Sequence, residues 1–298
     1  MVASIINGTE IAAQVKAEVA QGVAEVKQRH GVTPGLAVVL VGDDPASAVY
    51  VASKQKAASE AGMHAEDHKL ATATPMEAME ALLKRLNADA NVHGILIQLP
   101  LPKHLNEHAV MERISPDKDV DGLHPVNMGL LLAGRPRFVP ATPAGIQQLL
   151  LRTGHSPEGK HVVVCGRSDI VGKPVAALLM HKAPGANATV TVCHTGTRDL
   201  PSLTRQADIL IAAMGRAGSI KADMVKDGVV VIDVGTNRFE DASKKSGYRL
   251  VGDVDYEVVS KRAAAITPVP GGVGPMTIAM LLANTLKAAM LRVQHEKS

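Results

Sequence analysis

Two hydrophobic rhythms alternate along the chain. Residues 9–29 place apolar side chains every three or four positions, as one face of a helix does, whereas LAVVLVG (36–42) is a short, continuous apolar run that suits a buried strand. The alternation continues with a helix predicted over 46–61, a strand over 63–70, a helix over 75–89, and a strand over GILIQLP (94–100) that stops at proline. Residues 102–142 are less regular, and PATPAGIQQLLLRTG (140–154) opens a further helix. A second series of short apolar runs follows at 161–166, 188–194, 207–215, 228–235 and 264–270, with helical segments between most of them. Continuous apolar strands separated by helices indicate parallel sheets covered on both faces. In such a doubly wound arrangement, ligands belong at the carboxyl ends of the strands.

The length of 298 residues suits two domains, with the crossing placed near the 140–154 helix. Hydrophobic residues make up 46% of the chain but aromatics only 2%, without tryptophan, so the cores must be aliphatic. That scarcity removes the stacking platforms that single-stranded nucleic acid needs. With 32 basic and 29 acidic residues intermixed, the net charge of +3 gives no basic footprint for nucleic acid either. Cys165 and Cys193 lie in apolar runs without CxxC spacing and read as reduced, buried thiols of a cytoplasmic protein. No apolar stretch approaches the ~18 residues of a membrane span, and the first ten residues lack the pattern of a secretion signal. A soluble protein is expected.

Three near-motifs fail on inspection. GRSDIVGKP (166–174) resembles a phosphate loop, but five residues separate its glycines and Pro174 stands where Ser or Thr would hold magnesium. DKDVDG (117–122) opens like a calcium loop, yet the twelfth position, where a bidentate Glu is needed, is Met128. The 12 histidines show no ligand spacing, so no metal is expected.

Residues 162–175 still read as a strand, a glycine turn and a helix, with Ser168 in place of the second glycine of GxGxxG. The turn from Gly166 to Gly172 can present N–H groups to a pyrophosphate, although an ordinary strand-to-helix connection would look the same. NAD sites usually carry an acidic residue at the end of the second strand. Here that strand ends in His194, Thr195, Gly196 and Thr197, and Arg167 lies in the first turn, which favours NADP. On the 46–61 helix, Tyr50 and Lys54 are four residues apart and share a face, while Lys56 is an equal candidate by residue type alone. Gln98 ends an apolar strand, at the edge where a parallel sheet keeps its site.

The segment TPVPGGVGPMT (267–277) joins a strand end, a glycine-rich turn and a helix start. Its wording resembles that of the bifunctional methylenetetrahydrofolate dehydrogenase/cyclohydrolase family. So does GRSxIVGxP, which contributes Gly166, Arg167, Ser168, Ile170 and Gly172; so do YVxxKxKAxxxxG at 50–62, QLPLP at 98–102 and KDVDGLHPVN at 118–127. The resemblance runs from about residue 35 to 290 with its motifs in family order. It selects Lys54 over Lys56 as catalytic, with Gln98 as its partner, Tyr50 over the aminobenzoyl ring and Asp121 holding the pterin. A carboxylate suits that last task because the pterin amino group and ring N–H offer parallel donors.

The same resemblance assigns Thr195 and Arg167 to the coenzyme phosphate, Thr236 to the coenzyme, and Pro270, Gly271 and Gly274 to the substrate side. Departures are few: Ala141 stands where some members have cysteine, 181–188 looks longer than in some relatives, and 240–248 is a polar excursion.

The expectation is therefore an α/β enzyme with a folate-binding catalytic domain (1–143), a Rossmann-like NADP domain (144–276) and a C-terminal helix (277–298) packing back on the first domain. The resemblance further implies a cleft between the domains and a homodimer through the coenzyme domains. The implied reactions are oxidation of 5,10-methylenetetrahydrofolate with NADP and hydrolysis of the methenyl product to 10-formyltetrahydrofolate. The chain length leaves no room for an appended formate ligase domain. Two rivals stand beside this reading: a related two-domain dehydrogenase of amino or hydroxy acids, and a folate-binding protein without catalysis. The first does not account for YVxxKxKA, QLPLP and PVPGGVGPMT together, and the second would be expected to lack one of Tyr50, Lys54, Gln98 or Asp121.

Overall fold

The computed structural model describes residues 3–241, 243–244 and 247–295. In chain order the elements begin with β1 (Ser4–Ile5), α1 (Gly8–His30), β2 (Gly35–Val41), α2 (Pro45–Glu60), β3 (His64–Leu70), α3 (Met76–Ala88) and β4 (Gly94–Ile97). Then come α4 (Glu107–Met111), α5 (Pro125–Leu132), α6 (Ala141–Arg152), β5 (His161–Cys165), α7 (Gly172–Leu179), β6 (Thr189–Cys193), α8 (Leu200–Thr204) and β7 (Ile209–Ala212). The last are β8 (Val230–Asp233), β9 (Asn237–Glu240), β10 (Tyr248–Val251), α9 (Tyr256–Val259), β11 (Ala265–Ile266) and α10 (Val273–His295). Two compact units result, one of Met1–Ala12 with Thr142–Thr277 and the other of Ala13–Ala141 with Ile278–Ser298.

The second of these units is built on a three-stranded parallel sheet in the order β3-β2-β4. Every residue of the central strand β2 is buried, which is why its sequence is continuously apolar instead of alternating. Helix α3 buries Met79, Leu82, Leu83 and Leu86, spaced three or four apart, against Ala37, Val39 and Val41 of β2 and Ile95 and Ile97 of β4. Helix α2 starts where the Asp44 carboxylate accepts the Ser47 N–H at 2.8 Å, with Pro45 in its first turn. The residues after Thr277 belong to this unit, where Asn284 Nδ2 on α10 donates to the Val120 and Val139 carbonyls at 2.8 and 2.9 Å.

The other unit carries a six-stranded parallel sheet in the order β1-β11-β8-β7-β5-β6. Chain direction along the sheet reverses at β5, which has β6 on one side and β7 on the other. In a doubly wound sheet, ligands bind beyond the carboxyl ends of the strands at the point where the strand order reverses.

The structure corrects several boundaries. Residues 1–12 group with the dinucleotide-type unit and not with the first domain, because Ser4 and Ile5 pair with Ala265 and Ile266 on the edge of its sheet. A two-residue strand leaves no periodicity to read. The strand expected over 264–270 is only Ala265–Ile266, and that expected over 94–100 ends at Ile97, since the prolines that follow cannot continue a ladder. The polar stretch 240–248 falls in a hairpin in which β9 and β10 pair antiparallel, with Arg238 over the Tyr248 ring and Arg249 over the Phe239 ring; residues 242, 245 and 246 lie outside the described residues. Helix α10 is long and apolar enough to cross a membrane by composition, contrary to expectation, but half of its apolar window is buried inside the protein. A core helix accounts for that composition.

Leu83 is fully buried between α3 and the sheet. Leu83→Ala is expected to cost about 2–5 kcal/mol, read as a lower urea midpoint for this unit.

Candidate active site

In the three-stranded unit, α2 brings Lys54 beside the end of β4. The Lys54 Nζ donates to Gln98 Oε1 at 3.0 Å, and Gln98 Nε2 in turn donates to the Leu99 carbonyl at 2.8 Å. The first residue beyond β4 is thus fixed by its own neighbour and presents its oxygen to the lysine. The Leu99–Pro100 peptide bond is cis, and it follows Gln98 directly. Burial lowers the Lys54 pKa from the ordinary lysine value, and the negative charge of Asp121 partly opposes that shift. Burial likewise pushes the Asp121 carboxyl up to about 6, with Lys54 pulling it down and Asp119 adding to the rise.

These two shifts have a common cause. Each group loses water, and each supplies the opposite charge that partly offsets the other's shift. Tyr50 lies one turn before Lys54 and is 45% exposed, so its ring is free to cover a ligand. Lys56, the alternative by residue type, is an exposed partner of Glu60 at 3.8 Å. The structure therefore brings Lys54, Gln98 and Asp121 into one interacting group and leaves Lys56 outside it.

In the six-stranded unit, the turn after β5 is compact. Gly166 has φ 135°, and a Cβ there would lie 2.1 Å from the Ala213 carbonyl oxygen. A Cβ on Gly172 would lie 2.2 Å from the Gly166 oxygen, so both positions require glycine. Ser168 Oγ accepts the Val171 and Gly172 N–H groups at 3.2 and 3.4 Å, replacing the missing glycine of the usual pattern by a side-chain brace. Arg167, Ser168 and Ile170 are exposed at this turn, as are Thr195 after β6 and Thr236 after β8. Beyond β6, Thr197 Oγ1 accepts the His194 N–H at 2.9 Å and closes a turn without any carboxylate.

The loop after β11 is also shaped by backbone. Gly271 has φ 100°, its carbonyl accepts the Thr9 N–H at 3.1 Å, and the Val269–Pro270 bond is cis. A Cβ on Gly8 would fall 1.8 Å from the Gly272 oxygen, so the start of α1 and this loop touch backbone to backbone. Gly274 has open space around it, inside the first turn of α10.

A pair of buried carboxylates went unread in the sequence. Asp253 accepts the N–H groups of Met214, Gly215 and Arg216 at 2.5–2.9 Å and that of Asn237 Nδ2 at 2.9 Å. Asp233 accepts from Gly235, Asp253 and Val254 at 2.9–3.0 Å, and burial pushes it up to about 6. Together they fasten three loops at the carboxyl edge of the sheet. The available signal was an acid ending an otherwise apolar strand, VVVID. Cys165 and Cys193 are free and buried, and they face each other across β5 and β6, where burial pushes the Cys165 thiol up to about 12.

Fold and site together define an α/β enzyme with one unit shaped for a dinucleotide and another holding a half-buried lysine at a strand end. Residues 6–121 match the tetrahydrofolate dehydrogenase/cyclohydrolase catalytic domain, and residues 140–293 match the NAD(P)-binding domain of the same family. The chain belongs to the tetrahydrofolate dehydrogenase/cyclohydrolase family. It is 60% identical to bifunctional protein FolD 1 of Myxococcus xanthus over 96% of this chain and 98% of that protein. It is 55% identical to bifunctional protein FolD of Dehalococcoides mccartyi, with 97% of each covered. Among solved structures, the Campylobacter jejuni bifunctional FolD superposes with a TM-score of 0.91 at 47% identity, covering 97% of this chain and 99% of that one. The Trypanosoma brucei enzyme, complexed with NADP cofactor and inhibitor, gives 0.93 at 42% identity over 99% of both chains.

Because Gln98 Oε1 accepts from the Lys54 ammonium, it favours the charged form. Gln98→Leu is expected to lower the Lys54 pKa further, measured by NMR titration of its labelled ε-carbon.

Proposed function

We propose that Lys54, Gln98, Tyr50 and Asp121 handle the folate, and that the turns carrying Arg167, Ser168 and Thr195 hold NADP, in an enzyme with both activities of its family. The chain oxidises 5,10-methylenetetrahydrofolate to the 5,10-methenyl cation and hydrolyses that cation to 10-formyltetrahydrofolate. The single observation that carries the assignment is the Lys54–Gln98 hydrogen bond at 3.0 Å beside Asp121. NADP, when bound, accepts the hydride. The residues present fit it: Gly166 and Gly172 leave no side chain between backbone and ligand, and the end of β6 offers hydroxyls and no carboxylate to repel a 2′-phosphate.

Oxidation leaves positive charge on a carbon between two nitrogens, and it needs positioning more than proton transfer. Asp121 anchors the pterin through its amino and ring N–H donors, and Tyr50 covers the aminobenzoyl ring. In hydrolysis, the attacking water must lose a proton. Burial of Lys54 raises the share of neutral amine that can take it, and an adjacent substrate cation raises that share again. Gln98 keeps the amine in place through its 3.0 Å bond. Pro270, Gly271 and Gly274 complete the substrate side of the proposal, with Ile170 and Thr236 on the coenzyme.

The proposal also includes a homodimer formed through the coenzyme units, in the cytoplasm, without nucleic-acid, membrane or metal partners. Strand β6 is an edge of the six-stranded sheet and exposes Val192, an apolar position that supports pairing through this unit. Among the described residues no cluster of His, Cys, Asp or Glu is arranged to hold a metal ion.

Lys54→Met tests the assignment. Cyclohydrolase activity should fall ~100- to 10,000-fold while dehydrogenase activity survives at a reduced level and methenyl product accumulates. Lys56→Met should leave both rates near wild type. A cyclohydrolase rate unchanged in Lys54→Met, or a larger loss in Lys56→Met, would remove Lys54 from the mechanism.

Coenzyme choice has its own test. Arg167→Ala should weaken NADP binding by about 1.5–3 kcal/mol and leave NAD binding nearly unchanged. Equal losses for both coenzymes, measured by titration calorimetry, would move Arg167 from the 2′-phosphate to the shared pyrophosphate.

A further inference from the structure

Asp121 belongs to a loop whose shape is set by a second acid two residues earlier. Asp119 is fully buried, and its carboxylate accepts three hydrogens: from the Leu123 N–H at 3.2 Å, the His124 N–H at 2.8 Å and Asn127 Nδ2 at 2.8 Å. The loop therefore folds around Asp119, with Asp121 at its middle. Each of the two backbone donors lies beyond Asp121 in the chain, so the carboxylate closes a turn that contains it.

The closure is reinforced from outside. Asn127 is fully buried at the start of α5, and its second Nδ2 hydrogen goes to the Pro116 carbonyl at 2.9 Å. Asn127 Oδ1 accepts from Arg137 Nη1 at 3.4 Å, and Arg137 pairs with Asp117 at 3.1 Å. Before the turn, the Ile95 N–H donates to the Lys118 carbonyl at 2.8 Å and ties the loop to β4. Behind it, Gly122 has φ 74°, and a Cβ there would lie 2.8 Å from the Pro140 nitrogen. These restraints hold the backbone on both sides of Asp121.

We propose that Asp119 is a positioning residue for the folate: its carboxylate fixes the 119–124 turn, and its charge makes Asp121 a stronger hydrogen-bond acceptor for the pterin. This inference rests on the pterin-anchoring role proposed for Asp121. Among the described residues, the charged groups that act on Asp121 are Lys54 from α2 and Asp119 from the same loop, with opposite signs. A carboxylate flanked by a second negative charge holds its proton, and any donor, more tightly than one facing a lysine alone. Asp119 thus offsets part of what Lys54 takes away. The failed calcium signature DKDVDG acquires a physical account: its alternate acids are a turn-former and a ligand anchor, and Asp117 is held by Arg137.

The test is the pH profile of kcat/KM for methylenetetrahydrofolate in Asp119→Asn, which keeps size but turns an N–H toward donors. KM for the folate should rise on the order of tenfold, the worth of a hydrogen bond to a charged group. The acid limb should move to lower pH, because removing a like charge lowers the Asp121 pKa from about 6. KM for NADP should stay within error of wild type. Asp119→Glu separates the two contributions: it keeps the charge and the position of the acid limb while KM remains raised.

A folded Asp119→Asn enzyme whose acid limb superimposes on wild type would overturn the proposal, as would equal rises in both KM values. Should that variant fail to fold, Asp119→Ser, whose hydroxyl still accepts one amide hydrogen, takes its place with the same outcomes. Asp121→Asn distinguishes the two levels of the argument. An unchanged folate KM in Asp121→Asn would sink the anchoring role itself, whereas a raised one together with an unmoved Asp119→Asn profile would sink only this inference.

Discussion

Strands buried on both faces leave polar chemistry no place except their ends. In β2 every side chain is buried, and β4, β7 and β8 are likewise covered along their lengths. A charge within such a strand would cost several kcal/mol unless paired, so the polar residues that matter stand at the first position after the apolar run or in the loop beyond. Gln98 directly follows β4, Gly166 directly follows β5, and Asp233 is the last residue of β8. The family assignment and the geometry agree because the same constraint shapes both.

At those ends, backbone does much of the work. Gly8, Gly166, Gly172 and Gly272 are places where two segments of the backbone approach closer than a Cβ allows. Buried carboxylates then hold the loops: Asp119 gathers three N–H donors in one unit, and Asp233 and Asp253 gather seven between them in the other. A carboxylate removed from water is costly unless its lone pairs are filled, and these are well filled. The loops they hold carry or adjoin Asp121 and Thr236. Loops held in this way keep the groups they carry in fixed positions within each unit.

Lys54 illustrates how surroundings change a side chain that is ordinary by composition. Lys56, two residues along the same helix, is exposed and paired with Glu60 across a surface that contributes little. Lys54 is half-buried, bonded to Gln98 and coupled to Asp121. Loss of water lowers its affinity for a proton, which suits the base role proposed for it. The difference between the two lysines is one of surroundings and not of residue type.

Period and run length in the chain were enough to place α1, α2, α3, α6 and the long apolar strands, because a buried parallel strand is continuously apolar and a covering helix repeats every three or four residues. Helix α10, implied over 277–298 by the family resemblance, runs from Val273 to His295. The wording of the motifs singles out Lys54, Gln98 and Asp121. The residues themselves left Lys54 and Lys56 equal, since helical spacing says which side chains share a face and nothing of what lies opposite. The pairing of Ser4–Ile5 with β11, the β9–β10 hairpin, and the nests of N–H groups around Asp119, Asp233 and Asp253 were decided only by tertiary structure. Each joins segments whose partners lie elsewhere in the chain or whose length is too short to show a period, and burial of a polar group is a property of everything packed around it.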